Sequence, residues 1–378
     1  MRLAAPNFVD INITDRCNMA CRHCYIGDQS SKDLPLETGL DYIRQIAELG
    51  VFKVALTGGE PLLHPNWLDF LKQIVKLGLS PMMNTNGFLF NNEVCEKIDR
   101  IKFNDPMWVS ISLDGLVPGR YSELRRWKNG KPADDAFSVV INNAINMARR
   151  GYRVVFNFTF TQVNYEDLLP LYQYLENKFV SLPFILNVIL FGLSGNGAKN
   201  MGELSVPYEL WENAIHEIME SKLEGKLRFL KVEPTCPWEI YLPLRNYGNE
   251  TIERSLGYVS PLRNPFFASQ RTIGCHAGLT NLVINWDGDV HPCGLYPRND
   301  LMYAGSLKEQ SLNDIWNSSE KLNLLRGMDL RDMPTECQNC EFSSICGGGC
   351  RGAASQITGN IRGKDIRCPL LDEGKKNV

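Results

Sequence analysis

Residues 8–24, FVDINITDRCNMACRHC, contain the signal on which the predicted fold depends. The segment Phe8–Ile13 is rich in β-branched and aromatic residues, which predicts a strand. Cys17, Cys21 and Cys24 follow this strand with the spacing C-x3-C-x2-C. Thiols this close in sequence repel one another as thiolates unless a cation binds them. The segment therefore predicts a metal site immediately after the first strand.

Strand-like and helix-like segments alternate from this first strand to about residue 225. Six strands in series with amphipathic helices between them imply a parallel sheet, either open or curled into an incomplete barrel. We therefore expect an α/β fold, a partial (β/α)6 TIM-type barrel, over residues 1–225. In such a sheet the chemistry lies at the C-terminal ends of the strands. The predicted strands are Phe8–Ile13, Phe52–Thr57, Pro81–Thr85, Trp108–Ser112, Val154–Phe160 and Phe184–Phe191, and the clearest predicted helices are Leu36–Leu49, Trp67–Leu77, Ala136–Arg149 and Leu168–Lys178.

Two further regions follow the barrel. Residues 226–274 contain several prolines that break the periodicity, and we expect them to bridge over the barrel mouth. Residues 275–378 are rich in glycine and cysteine, too rich for a conventional apolar core, so metal clusters would replace part of the missing burial. This second region is predicted to be a small cysteine-rich domain.

Bulk composition excludes several classes of protein. The net charge of −3 over 378 residues gives no reason to expect a nucleic-acid surface. The N-terminus lacks the apolar core of a signal peptide, and the longest apolar run, Phe184 to Leu193, is too short to span a bilayer. We expect a cytoplasmic protein without membrane or nucleic-acid partners. In that compartment the twelve cysteines stay reduced, and their clustering indicates metal.

The N-terminal cysteines number three, one fewer than a structural zinc site normally uses. A cubane cluster held by three thiolates instead leaves one iron open to a cofactor. Here the chain resembles the radical S-adenosylmethionine (SAM) superfamily, over almost its whole length. The resemblance implies that Cys17, Cys21 and Cys24 bind a 4Fe–4S cluster whose open iron is chelated by SAM. It also implies that the cluster and SAM together yield a 5′-deoxyadenosyl radical, which abstracts hydrogen from the substrate. An incomplete zinc site is the alternative.

The motif Gly58-Gly59-Glu60-Pro61 follows the second predicted strand. Alone it is typical of a glycine turn before a helix; beside the cysteines it resembles the superfamily's GGEP motif, which holds the SAM amino group. The resemblance implies further SAM contacts at the ends of strands three and four, an arginine for the SAM carboxylate, and a ring against the adenine. Each also fits an ordinary turn, loop or surface position. These residues are Thr85, Asn86, Ser112, Asp114, Arg125 and His23.

Seven further cysteines lie between Cys275 and Cys368. Their order and spacing resemble the SPASM extension of peptide-modifying radical SAM enzymes, whereas a zinc ribbon would explain only four of them. The resemblance implies one auxiliary 4Fe–4S cluster fully ligated by four cysteines and a second held by three, which makes three clusters in all. The four are Cys337, Cys340, Cys346 and Cys368, and the three are Cys275, Cys293 and Cys350.

The fourth ligand of the second auxiliary cluster is open at the sequence level. Cys236, in a proline-flanked loop, is one candidate, and an open iron that binds substrate or solvent is the other. Cys95 lies on a helical stretch and is expected to be an inert buried cysteine. Auxiliary clusters suit a net oxidation, because a substrate radical must pass an electron to a nearby acceptor.

The substrate is not settled by fold or cofactor. The leading hypothesis is oxidative modification of a ribosomally made peptide. The alternative is a small molecule, a tetrapyrrole side chain or an aminoglycoside-like sugar; the segment from Cys346 to Gly352 somewhat resembles haem-pathway members. Anaerobic sulfatase maturation is less favoured, because those enzymes have an aspartate where this chain has Gly294. A non-catalytic electron carrier would not explain the GGEP segment.

Partners and catalytic groups follow from the same resemblance. We expect a flavodoxin- or ferredoxin-type electron donor. The first strand begins near residue 8, so no N-terminal peptide-recognition domain is expected, and a peptide would be recognised by a separate protein or by the barrel mouth. The candidate acids and bases flank Cys293 in a loop that should face the active site; they are Asp289, His291, Tyr296 and Arg298.

Overall fold

A computed structural model describes residues 3–27, 31–117, 120–296 and 301–371. Its one extended sheet has the strand order β10-β9-β8-β1-β2-β3-β4-β5-β6-β7. The strands from β8 through β7 run parallel, while β9 and β10 are antiparallel to their neighbours. The strands are β1 Phe8–Thr14, β2 Lys53–Gly58, β3 Ser80–Thr85, β4 Trp108–Ser112, β5 Arg153–Phe160, β6 Ile185–Leu190, β7 Leu230–Val232, β8 Asn281–Ile284, β9 Asp289–His291 and β10 Gly305–Ser306.

The predicted α/β barrel is confirmed, and all six predicted strands are present. Two parallel strands extend the sheet beyond the prediction. The strand β7 comes from the region 226–274 and pairs with β6, and β8 comes from the cysteine-rich region and pairs with β1. Both are short, which is why their apolar pattern is weak in the sequence. The sheet thus joins all three predicted regions.

Helices cover the outer face of the barrel and then build the C-terminal region. The first group is α1 Leu36–Leu49, α2 Trp67–Lys76, α3 Asn92–Asp99, α4 Arg120–Leu124, α5 Asp134–Arg149, α6 Leu168–Lys178, α7 Gly195–Lys199, α8 Met201–Leu204 and α9 Tyr208–Leu223. The second group is α10 Trp238–Tyr241, α11 Asn249–Leu256, α12 Pro265–Ala268, α13 Leu312–Ser318, α14 Glu320–Gly327, α15 Thr335–Gln338, α16 Ser343–Cys346 and α17 Arg351–Thr358. Within the described ranges, none of these helices has the length and apolarity needed to cross a bilayer.

The two faces of the sheet differ in polarity. On β1, Val9 and Ile11 are fully buried and belong to the main core, whereas Asp10 and Asn12 between them are only partly buried. Side chains on alternate positions of a strand point to opposite faces, so the polar residues face the lumen. Hydrogen bonds run along this inner face from strand to strand: Asn157 Nδ2 donates to Ser110 Oγ (2.7 Å), and Asn187 Nδ2 donates to Asn157 Oδ1 (3.4 Å). The barrel therefore encloses a polar lumen suited to water and a polar ligand.

Asp10 gives this lumen a titratable group. Burial raises the pKa of Asp10 from 3.8 to about 7, and the Lys53 ammonium offsets part of that rise. The folded state therefore keeps a proton that the unfolded chain has already lost. That stabilising contribution is complete below about pH 4 and is lost as the pH rises towards 7.

Asp10→Asn is therefore expected to raise the free energy of unfolding by about 2–4 kcal/mol at pH 8 and to change it little near pH 4. Urea unfolding of the anaerobic protein at a series of pH values measures this difference. A difference between the two proteins that does not depend on pH would show that Asp10 is not held protonated by the fold.

Candidate functional site

The cysteine loop begins where β1 ends and is fixed there by the Gly58-Gly59 pair. The Gly59 N–H donates to the carbonyl oxygen of Thr14 (2.8 Å), and the Glu60 N–H donates to that of Arg16 (2.7 Å). A Cβ atom at Gly58 would lie 2.0 Å from the Thr14 oxygen, and one at Gly59 would lie 2.2 Å from the Arg16 oxygen. The two glycines are therefore required for close backbone contact with the segment that leads into the cysteines, in addition to any contact with a ligand.

Two more segments hold the loop from the other side. The N–H of Ala20 donates to the oxygen of Arg126 (2.8 Å), and the N–H of Arg22 donates to that of Leu124 (3.0 Å). The carbonyl oxygen of Cys24 accepts from the N–H of Asn196 (2.8 Å). Backbone hydrogen bonds fix the loop independently of its side chains, so the positions of the three thiols are set before any ligand binds.

The thiols of Cys17, Cys21 and Cys24 are electrostatic neighbours, that is, they lie close enough for the charge of one to affect the pKa of another. Burial raises the pKa of Cys17 to about 11 and that of Cys21 to about 12. Two groups oppose this rise by favouring the thiolate: the Met19 N–H donates to Cys17 Sγ (3.4 Å), and the Arg125 guanidinium lies 3.9 Å from Cys21 Sγ. The donor set thus fits a positively charged ligand shared by the three thiolates.

Within the described residues, no three His, Cys, Asp or Glu side chains converge closely enough to hold a single metal ion. A cubane cluster binds each cysteine at a different iron, so its ligand sulfurs are separated by the width of the cluster. Neighbouring thiols that do not converge on one point are compatible with a cubane, whereas a tetrahedral zinc ion needs its ligands within bonding distance of one centre.

Glu60 lies fully buried beside the cysteine loop. Its carboxylate accepts from the Thr85 hydroxyl (2.8 Å) and from the Asn86 N–H (2.8 Å). Asn86 in turn donates through Nδ2 to Asn18 Oδ1, at 2.7 Å, within the cysteine loop. Burial raises the pKa of Glu60 to about 7, against these hydrogen bonds. The structure therefore brings together Glu60, Thr85 and Asn86 at the ends of β2 and β3.

Asp114 is the centre of a second buried group that contains His23 and Arg125. The Asp114 Oδ2 atom lies 2.6 Å from Arg125 Nη2 and 3.1 Å from His23 Nε2, and Oδ1 accepts from the Thr159 N–H (2.8 Å). Burial alone would raise the pKa of Asp114, but the Arg125 guanidinium and His23 hold it well below its usual range. Arg125 is 3% exposed, so it is not a surface charge.

His23 is likewise not a solvated loop histidine, since its side chain is 10% exposed. Six of the predicted SAM-contact residues thus form two networks with little exposure, Glu60 with Thr85 and Asn86, and Asp114 with Arg125 and His23. Ser112 ends β4 and pairs in register with Asn157 on β5. Pro61 begins a short 3₁₀ turn after Glu60.

In the C-terminal region, Cys275, Cys293 and Cys350 form one group of neighbouring thiols. The N–H groups of Leu295 and Tyr296 donate to Cys293 Sγ, and the Ala353 N–H donates to Cys350 Sγ (3.4 Å). Backbone donors of this kind favour thiolate over thiol. The group therefore fits a cluster, with three cysteine ligands.

Cys337, Cys340, Cys346 and Cys368 line one shared cavity. Their sulfurs also accept from backbone donors: the N–H of Phe342 for Cys340 (3.4 Å), those of Gly349 and Trp238 for Cys346, and that of Leu370 for Cys368. Residues 347–349 have positive φ values of 60°, 97° and 75°, which only glycine adopts without strain. This turn separates Cys346 in the group of four from Cys350 in the group of three.

Cys236 lies in a buried charged network. Its Sγ is 3.2 Å from Glu239 Oε1, and 3.6 Å from both Asp365 Oδ2 and an Arg367 Nη2 nitrogen. Arg367 bridges the two carboxylates at 3.0 Å each, and Asp365 Oδ2 also accepts from the Cys350 N–H (2.9 Å). Among the cysteines, the electrostatic neighbour of Cys236 is Cys346, in the other group. Cys95 is buried on α3 with its Sγ 3.5 Å from Asn146 Nδ2.

A cavity of about 220 Å³ lies between the cysteine loop and the loop after Cys293. Tyr25, directly after Cys24, lines one side, and Cys293 with Gly294 lines the other. A Cβ atom at Gly294 would lie 3.2 Å from Tyr25 Cε2, so the aromatic ring lies against the glycine. The cavity therefore contacts the N-terminal cysteine loop and one cysteine of the group of three at once.

The four candidate acids and bases do not all lie at the cavity. His291 and Tyr296 line the cavity. Asp289 lies outside its lining, and its carboxylate is instead an electrostatic neighbour of the Tyr42 hydroxyl on α1. Arg298 lies outside the described residues. The cavity also has polar lining residues that the sequence did not single out.

These additional residues are Asn12, Ser194, Lys199, Asn285 and Gln356. Asn12 and Asn285 are joined by a hydrogen bond from Asn12 Nδ2 to Asn285 Oδ1 (2.7 Å), which links β1 to the end of β8. Its place on the first strand, two positions after Asp10 and so on the same face, could have indicated Asn12. The others carry no sequence signal, because β8 and α17 approach the cavity only through the fold.

Comparison with known proteins gives concordant matches. A sequence model of the radical SAM superfamily matches residues 11–175, and one of an iron–sulfur cluster-binding domain, SPASM, matches residues 275–341. An AdoMet-dependent heme synthase of Methanosarcina barkeri is 25% identical over 379 residues, covering 98% of this chain and 98% of the relative. A PqqA peptide cyclase of Gluconobacter oxydans is 23% identical over 362 residues, covering 95% and 89%.

Among solved structures, SuiB of Streptococcus suis bound to S-adenosylmethionine superposes with a TM-score of 0.72 at 18% identity. The superposition covers 97% of this chain and 78% of SuiB. At this identity the likeness concerns the fold, a barrel followed by a cysteine-rich region.

Proposed function

This chain belongs to the radical SAM superfamily and carries a C-terminal SPASM domain, and from that premise we propose that it oxidatively modifies a ribosomally made peptide. The observation that carries the proposal is the cavity that contacts Tyr25 of the N-terminal cysteine loop and Cys293 of the group of three. A substrate there would lie between the site of hydrogen abstraction and an electron acceptor.

The cysteine groups define the cofactors of the proposal. Cys17, Cys21 and Cys24 would hold the cluster that binds SAM, and the groups of four and three would hold one auxiliary 4Fe–4S cluster each. When bound, SAM and the clusters supply the 5′-deoxyadenosyl radical and an acceptor for the second electron. The family implies SAM and iron–sulfur clusters; the number of three comes from the cysteine grouping.

The chain's own residues position and shield this chemistry. Glu60 offers a carboxylate at the ends of β2 and β3, where it would attract the ammonium group of SAM, with Thr85 and Asn86 fixing its orientation. Arg125, whose guanidinium lies 3.9 Å from Cys21 Sγ, would attract the SAM carboxylate. The Asp114 carboxylate fixes Arg125 and His23 in place, and their nearly buried side chains would limit the access of water to this side of the cluster.

Peptide oxidation is supported by the similarity to PqqA peptide cyclases and to the fold of SuiB. The lining of the cavity adds amide and hydroxyl groups, which can pair with a peptide backbone. A separate recognition protein would deliver the peptide, and a flavodoxin- or ferredoxin-type protein would supply electrons in the cytoplasm.

A second candidate substrate is a tetrapyrrole side chain. The alignment with the heme synthase spans 98% of both chains. Within the described residues, the cavity lining contains Lys199 and His291 and no carboxylate, which suits an anionic propionate group. Anaerobic sulfatase maturation is not favoured, because the Tyr25 ring lies against Gly294 where those enzymes have an aspartate.

The test uses anaerobically reconstituted protein with SAM and a reductant. Release of 5′-deoxyadenosine is expected, and its absence from the wild-type protein would contradict the enzyme assignment. Peptides encoded beside the gene are then added, and a product lighter by two hydrogen atoms in mass spectrometry supports peptide oxidation. If no adjacent peptide changes mass but a propionate-bearing tetrapyrrole loses mass, the second candidate replaces the first.

A further inference from the structure

The auxiliary site of Cys275, Cys293 and Cys350 has one ligand fewer than a cubane cluster has irons. The sequence left two alternatives for the fourth position, Cys236 and an open iron. Among the described residues, the contacts of Cys236 and of Tyr296 distinguish the groups that could face the three thiols.

The thiol of Cys236 is engaged elsewhere. It lies 3.2 Å from Glu239 Oε1, and Arg367 and Asp365 are its other charged neighbours. The side chains of Glu239, Asp365 and Arg367 are at most 8% exposed, so a rearrangement of the network would leave a charge unpaired. Cys236 would have to leave this network to bind iron at the group of three.

Tyr296 has the opposite environment. Its side chain is 3% exposed, and among the described residues its hydroxyl oxygen has no hydrogen-bond partner. Leaving a buried hydroxyl without a partner is energetically unfavourable, so such an arrangement points to a bound group. Tyr296 belongs to a small apolar cluster against which Cys275 and Cys293 pack.

The charged groups that act on the hydroxyl are the three thiols and the Arg351 guanidinium. Cys275, Cys293 and Cys350 are all electrostatic neighbours of the Tyr296 hydroxyl. The Tyr296 N–H also donates to Cys293 Sγ. The main chain and the side chain of Tyr296 are thus both directed at the group of three. Tyr296 also lines the substrate cavity.

We propose that the hydroxyl oxygen of Tyr296 is the fourth protein ligand of the auxiliary cluster held by Cys275, Cys293 and Cys350. This inference rests on the proposed cluster at that site. On binding, the O–H bond breaks and an iron–oxygen bond forms; the proton leaves to water in the adjoining cavity, and no electron is transferred. Tyrosine is a known iron ligand in haem proteins, and a bound metal ion lowers the pKa of a coordinating group.

Resonance Raman spectroscopy of the anaerobic holoenzyme tests the assignment directly. Ring modes of an iron-bound phenolate are expected in the wild-type protein and are expected to shift when the protein is made with ring-deuterated tyrosine. This isotope measurement needs no variant, so it holds even if a substitution impairs folding. Absence of phenolate modes from the wild-type cluster overturns the proposal.

Three variants then identify the residue. Tyr296→Phe is expected to lose the phenolate modes completely, while Cys236→Ala and Tyr152→Phe are expected to keep them. Tyr152 is the matched control: a buried tyrosine whose hydroxyl donates to Asp99 (2.7 Å). With SAM saturating the N-terminal cluster, cyanide should change the electron paramagnetic resonance spectrum of Tyr296→Phe only. A response in Cys236→Ala but not in Tyr296→Phe would assign the ligand to Cys236.

Iron analysis separates this proposal from the one on which it rests. If Cys275→Ala leaves the iron content unchanged, no cluster forms at this site, and the cluster assignment and the tyrosine ligand both fail. If Cys275→Ala lowers the iron content but Tyr296→Phe leaves the spectra unchanged, the cluster assignment stands and the tyrosine ligand is wrong.

Discussion

Replacing Cys24 with alanine is expected to abolish reductive cleavage of SAM, with 5′-deoxyadenosine formation falling by at least about 100-fold. The substitution removes one of three thiolates from the N-terminal site. It leaves the backbone hydrogen bond from Asn196 to the Cys24 carbonyl available, so the loop has no reason to unfold. Chromatographic assay of 5′-deoxyadenosine under anaerobic conditions measures the effect.

The matched control for Cys24 is Cys95→Ala. Cys95 is buried on α3, where its thiol contacts Asn146 rather than another cysteine. Its replacement removes one thiol without touching any cysteine group, so wild-type turnover is expected. Equal turnover in Cys24→Ala and wild type would contradict the assignment of the N-terminal site.

Gly58→Ala is expected to lower the free energy of unfolding by more than about 3 kcal/mol and to reduce iron binding at the N-terminal cysteines. The new Cβ would lie 2.0 Å from the carbonyl oxygen of Thr14, and φ at this position is +129°. Backbone must move to relieve the contact, and the backbone that moves leads directly into the cysteine loop. Urea unfolding and iron analysis of the anaerobic protein give the two readouts.

Gly50→Ala is the control that distinguishes the steric clash expected in Gly58→Ala from the backbone strain that a positive φ alone causes. Gly50 ends α1 with φ +86°, and a Cβ atom added there would have no neighbouring atom within 4 Å. Its replacement is expected to cost about 1 kcal/mol and to leave iron binding unchanged. If Gly58→Ala costs no more than Gly50→Ala, the close packing of the GGEP turn on β1 is not required.

The barrel was predictable because its long strands carry a strong local signal. The segments around Val9–Ile13 and Val154–Phe160 are rich in β-branched and aromatic residues, and the structure has strands at both. The short strands β7 and β8 were missed, since three or four residues give too little periodicity to recognise. They are recruited to the sheet by its unpaired edges.

The grouping of the cysteines could be predicted from spacing and resemblance, whereas the contacts between distant segments could not. Nothing in the sequence near Cys236 indicates that Arg367, far along the chain, would pair with its neighbour Glu239. Nor does any local pattern show that the Tyr25 ring meets Gly294. Such contacts depend on how the cysteine-rich region docks on the barrel, which is a property of tertiary packing.

The pairing of β8 with β1 has a consequence for synthesis of the chain. β1 emerges from the ribosome first, yet its second neighbour, residues 281–284, emerges about 270 residues later. Until then one edge of β1 has unpaired backbone groups next to the cysteine motif, an arrangement prone to association with other chains. A nascent chain therefore has a long interval in which the thiols of its N-terminal cysteine motif lie beside an open sheet edge. Chaperones and cluster-delivery proteins would have their greatest effect on yield during that interval.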